Sequence, residues 1–101
     1  EEVRDETSEK AEAFIADAEK EAARLVEEAR KAGEELVKEA EVQGEKLVKE
    51  AGSNPLKQVA ARTAASELAR QAEKQSENLV SEAEIKGEEI IQKAREKADK
   101  I

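Results

Sequence analysis

The chain has 101 residues, of which 44% are Asp, Glu, Lys or Arg, with 26 acidic against 18 basic side chains and a formal net charge of −8. It contains no Cys, His, Met, Trp or Tyr and a single aromatic residue, Phe14. That composition leaves no thiolate, no Ser-His pair, no usual ligand set for zinc, iron or copper, and no platform on which bases could stack.

Length allows one domain, and no run of about 18 apolar residues is present to span a membrane. No targeting segment is visible at the start. With no Met anywhere, the expectation is a processed protein or a segment of a longer chain, so export is compatible with the sequence and the compartment stays open.

The first predicted element, residues 3–51, repeats every eleven residues. Phe14-Ile15, Leu25-Val26, Leu36-Val37 and Leu47-Val48 mark the period. With the first residue of each pair as offset zero, offset four is Ala18, Ala29, Ala40 and Ala51, and offset eight is Ala22, Gly33 and Gly44. Nearly every other position is polar or charged. Eleven residues in three turns is about 3.67 per turn, which keeps offsets zero, four, eight and one together as one stripe. Large residues take the margins of that stripe and small ones its centre. The period implies a right-handed or nearly straight coiled coil rather than the left-handed winding of heptads.

The pattern breaks at Gly52, Ser53, Asn54 and Pro55. Glycine past the last periodic residue can take the left-handed conformation that ends a helix. Asn54 can cap the next helix, and Pro55 suits the first helical position, where its missing N–H costs nothing. A turn at 52–54 is therefore expected between two helices.

The second predicted element, residues 55–101, resumes the series with Leu68-Ala69, Leu79-Val80, Ile90-Ile91 and Ile101. Its offset four is Ala72, Ala83 and Ala94, and its offset eight is Ser76, Gly87 and Ala98. Residues 1–51 carry 17 acidic and 9 basic side chains, whereas residues 52–101 carry 9 of each. The first arm repels a copy of itself but not the second arm, which favours an antiparallel pair. Glu34/Lys38, Glu45/Lys49, Glu82/Lys86 and Glu89/Lys93 stand at i, i+4 on the solvated face.

The expected fold is all-α: residues 1–101 form a single long antiparallel two-helix hairpin. Its predicted helix–helix interface comprises Phe14, Ile15, Ala18, Leu25, Val26, Ala29, Gly33, Leu36, Val37, Ala40, Gly44, Leu47 and Val48 on the first arm. Leu68, Ala72, Leu79, Val80, Ala83, Gly87, Ile90, Ile91 and Ala94 supply the second. Two helices lined by small residues bury little, so the stripe calls for a dimer of hairpins, a four-helix bundle, or another helical chain as partner.

No catalytic, cofactor or metal site is expected. Adjacent carboxylates such as Glu27-Glu28 and Glu88-Glu89 diverge by about 100° on a helix. The acidic balance also disfavours nucleic acid, the best basic cluster being Arg62, Arg70 and Lys74. A small-molecule substrate is likewise not implied. Eleven-residue repeats resemble the apolipoprotein-like and synuclein-like helices that lie on lipid, and the Ala/Glu/Lys eleven-mers of late-embryogenesis-abundant proteins. The stretch LVEEARKAGEELVKEA also resembles right-handed coiled-coil stalks, such as the peripheral stalk subunits of vacuolar- and archaeal-type ATPases, and small exported bacterial helical-hairpin proteins. The stalk resemblance implies a spacer or oligomerisation role. The lipid and protectant resemblances imply, as the alternative, an amphipathic surface-binding or chaperone-like protein.

Overall fold

Ala, Glu, Lys, Gln and Leu are strong helix formers and dominate both arms, and Pro55 is the only proline. Two long helices result, with no strand among the described residues: α1, Glu2–Ala51, and α2, Pro55–Asp99. The computed structural model describes residues 2–101, with side chains described from Glu6 onward. The helices pack against each other as a hairpin.

The turn is built as its residue types require. Gly52 has φ 62° and its N–H donates to the Lys49 carbonyl at 3.1 Å, which closes α1. The Asn54 side-chain Oδ1 accepts from the backbone N–H of Leu56 at 3.1 Å and of Lys57 at 3.3 Å. The Gln58 N–H then donates to the Asn54 carbonyl at 2.9 Å, so Asn54 is the N-cap and Pro55 the first helical residue. Gln58 also reaches back, its Nε2 donating to the Gly52 carbonyl at 2.6 Å. That bond ties the two sides of the turn together.

At the other end, α2 stops at Asp99 rather than continuing to Ile101. The N–H groups of Lys100 and Ile101 donate to the carbonyls of Lys97 and Ala98, three residues back, at 3.2 and 3.3 Å. These bonds to the third residue back close α2 with a tighter, 3₁₀-like turn.

Two compact units are distinguished, each drawing on both helices: Glu1–Glu28 with Ser81–Ile101, and Ala29–Val80. In the unit that holds the turn, Gly33 lies opposite Ser76 and Gly44 opposite Ala65. In the other, Gly87 lies opposite Ala22. The residue numbers of all three pairs add to the same total, so each unit has the same antiparallel register.

Candidate helix–helix interface

Burial follows the small residues. The buried positions of the unit Glu1–Glu28 with Ser81–Ile101 are Ala18, Ala22, Ala83, Gly87 and Ala94. Those of Ala29–Val80 are Gly33, Ala40, Gly44 and Ala72. All stand at offset four or eight. No large side chain is fully buried and no polar or charged residue is buried among those described.

The paired apolar residues sit at the margins. Ile15, Leu25, Val26, Ala29, Leu36, Val37, Leu47 and Val48 on α1 are half-buried, as are Leu68, Leu79, Val80, Ile90 and Ile91 on α2. Phe14, expected at the interface, stays 46% exposed. Its ring is the largest side chain at any margin position and edges a groove shared with Ile90 and Ala94 of α2. The turn residues Gly52, Ser53, Asn54 and Pro55 are all exposed.

Several seam positions are absent from the sequence-based interface. Ala11, Gln58, Ala61 and Ala65 are half-buried. The frame that includes them begins at Val3, whose side chain lies outside the described residues, and at Lys57-Gln58. There, two polar residues replace the apolar pair and hide the repeat. Carrying the count of eleven outward from Phe14 finds Ala11, and from Leu68 finds Gln58, Ala61 and Ala65. With that extension, every described side chain that is buried or half-buried stands at offset zero, one, four or eight, and only Phe14, Lys57 and Ile101 at those offsets are exposed.

The seam is open along its sides. In the unit Glu1–Glu28 with Ser81–Ile101, a surface groove of about 280 Å³ is floored by Ala18 and Ala94, edged by Phe14 and Ile90, and walled by Asp17 and Glu21 from α1 and Lys93 and Lys97 from α2. In Ala29–Val80, a groove of about 570 Å³ is floored by Ala40, Gly44, Ala65 and Ala69, with Val48, Glu41, Glu45, Lys49 and Ser66 beside them. The first is lined by offsets zero, three, four and seven of both helices. The second opens on the opposite margin, at offset one.

Charge is confined to the exterior. Arg24 stands 3.9 Å from Glu21 and 4.0 Å from Glu28, and Arg70 stands 2.7 Å from Glu67. None of the four i, i+4 pairs marked in the sequence closes to that distance; exposed Lys and Glu side chains gain too little to offset the entropy of holding one geometry. The Arg62, Arg70 and Lys74 cluster is exposed, with Arg70 engaged by Glu67. No group of three or more acidic side chains that could hold a metal occurs among the described residues, and no helix there is long and apolar enough to cross a membrane.

No family model matches the sequence, and neither the curated proteins nor the solved structures yield a significant match. Function is therefore read from the seam itself. Chemically, the arrangement offers close helix approach at its centre and half-covered aliphatic margins, which suits packing against further helices.

Proposed function

We propose that this chain is a non-enzymatic helix–helix association module, a spacer or stalk-like hendecad coiled coil that works by packing its hairpin against a second helical body. The observation that carries this reading is the inverted burial: Ala and Gly occupy the buried seam while Leu, Ile and Val are left half-covered. A hairpin complete in itself would cover its largest apolar side chains first, because they return most per residue buried. The half-covered margin on one side of the seam matches what a second hairpin would bury in a four-helix assembly. A second copy of the chain is the simplest partner.

One observation favours a second reading, association with a lipid surface. Leu56 is 84% exposed and Val59 64% exposed at the start of α2. Lys57 and Arg62 accompany them, and no acidic residue occurs between Glu50 and Glu67. Circular dichroism separates the two readings. High helicity with cooperative melting in plain buffer supports the association module, whereas helix that forms only with lipid vesicles supports the alternative. Replacing Leu36 and Leu79 together with Lys tests the module directly by sedimentation. Association that survives this double substitution would remove the margins from the interface.

A further inference from the structure

We infer that a second copy docks on one particular side of the seam, the offset-zero groove, with its α2 lying over the first copy's α1. This rests on the reading that the chain associates with itself, and it specifies the surface and the orientation.

At eleven residues in three turns, offsets seven and three lie outward of offset zero, and offsets five and nine lie outward of offset one. The seam therefore has two distinct sides, and the two observed grooves sample one each. Their charges differ. On the offset-zero side of the unit Glu1–Glu28 with Ser81–Ile101, α1 presents Glu6, Asp17, Glu21 and Glu28 against one cation, Lys10. The facing flank of α2 presents Lys86, Lys93 and Lys97 against one acid, Glu82. On the offset-one side both flanks are acidic, with Glu12 and Glu19 from α1 and Glu84, Glu88 and Asp99 from α2 against Arg95.

The unit Ala29–Val80 repeats the contrast by itself. Its offset-zero flanks carry Glu39 and Glu50 on α1 and only Ala60, Ala64, Gln71 and Gln75 on α2. Its offset-one flanks carry Arg30, Glu34, Glu41 and Glu45 on α1 and Arg62, Glu73 and Glu77 on α2, a net negative charge on each helix. In both units the offset-one side is net acidic on both helices, whereas the offset-zero side is net acidic on α1 alone.

A side that is acidic on one helix and cationic on the other is complementary to its own copy in one orientation. A two-fold axis parallel to the helices sets α1 of each chain over α2 of the other. Asp17 and Glu21 then face Lys93 and Lys97 of the second copy, twice over, because a two-fold contact repeats itself. An axis perpendicular to the helices would stack α1 on α1, acid on acid, which costs affinity. On the offset-one side both helices are net acidic, so either orientation sets net negative charge on net negative charge. The favoured contact also covers Phe14 and Ile90, which edge the groove.

The test is sedimentation equilibrium of the full chain and three charge variants, with circular dichroism to establish that each stays helical. Wild type is expected to dimerise. D17K/E21K and K93E/K97E, each alone, should weaken the dimer at least about tenfold. An equimolar mixture of the two should restore it as a heterodimer, since every wall then meets its opposite. Repulsion within one chain would not be relieved by mixing, so this rescue is specific to contact between copies. The combined four-residue variant should return to wild-type affinity even where a two-residue variant has lost its helix. E84K/E88K should leave affinity within about twofold if the offset-one side is free.

A monomeric wild type overturns the self-association reading itself. A dimeric wild type insensitive to both groove variants overturns the orientation while leaving self-association standing. A dimer strengthened by E84K/E88K and indifferent to the groove variants moves the contact to the other side of the seam.

Discussion

A single methyl group at the seam measures how closely the two helices approach. A Cβ added at Gly33 would lie 2.9 Å from the Ser76 Cβ and 3.2 Å from its Cα. At Gly44 it would lie 3.0 Å from the Ala65 Cβ, and at Gly87 3.0 Å from the Ala22 Cβ. Alanine in a helix gains about 1 kcal/mol over glycine, but overpacking a close contact costs about 1–3 kcal/mol. Gly33→Ala is therefore expected to destabilise by about 1 kcal/mol net, because the crowding reaches the Ser76 backbone as well as its side chain. Gly44→Ala should fall nearer zero, and Ala65→Gly in the same chain should relieve its crowding, a coupling visible in a double-mutant cycle. Urea midpoints decide the matter, and a clearly stabilising Gly33→Ala would mean the helices stand further apart than the seam requires. The sequence identifies Gly33, Gly44 and Gly87 as seam residues from their spacing. It does not say which residue each one meets, because periodicity defines a face and leaves the slide of one helix along the other open. The turn geometry sets that slide, so Gly44 meets Ala65.

At the scale of elements, the turn is where local chemistry is most legible. Each of its residues has one plausible task, and Gly52 and Asn54 perform the tasks expected of them. Gly52 is held at φ 62° with nothing within 4 Å of an added Cβ. Gly52→Ala should thus cost about 1 kcal/mol through backbone conformation alone, and Gly52→Asn should cost less, since Asn tolerates that region better. Asn54→Ala removes the acceptor for two N–H groups at the start of α2 and should cost about 1 kcal/mol. That cap is the main compensation at this end, because the first turn of α2 carries no acidic residue to meet the helix dipole. Thermal melts of the three variants give the ranking. Equal losses for Gly52→Ala and Gly52→Asn would argue that the left-handed conformation is not what Gly52 supplies. The first repeat of α2 was less legible, because Lys57-Gln58 stand where an apolar pair is expected. Gln58 is half-buried and spends its amide on the Gly52 carbonyl, so the position serves the turn as well as the seam margin.

At the scale of the whole molecule, charge and burial bear on the same question. The unit Glu1–Glu28 with Ser81–Ile101 carries 17 acidic and 9 basic residues, a net of −8, while Ala29–Val80 carries nine of each. The first unit thus opposes its own compaction by self-repulsion, and its core consists of small residues that return little on burial. A chain so arranged should draw part of its folding free energy from association. Stability would then depend on protein concentration, because a partner that binds only the folded form stabilises it by mass action. For a dimer, each tenfold rise in concentration adds about 1.4 kcal/mol. Spread over two chains that melt together, this should raise the melting temperature by about 3–5 °C. Melting followed by circular dichroism from about 2 to 200 µM covers the two decades needed to see the trend. The slope belongs to the association and should vanish in the Leu36→Lys, Leu79→Lys double variant, which removes two margin residues without touching the Ala and Gly of the seam. A wild-type midpoint that is high and independent of concentration would show that the small-residue seam suffices by itself. The half-covered Leu and Val margins would then need an explanation other than a second helical body.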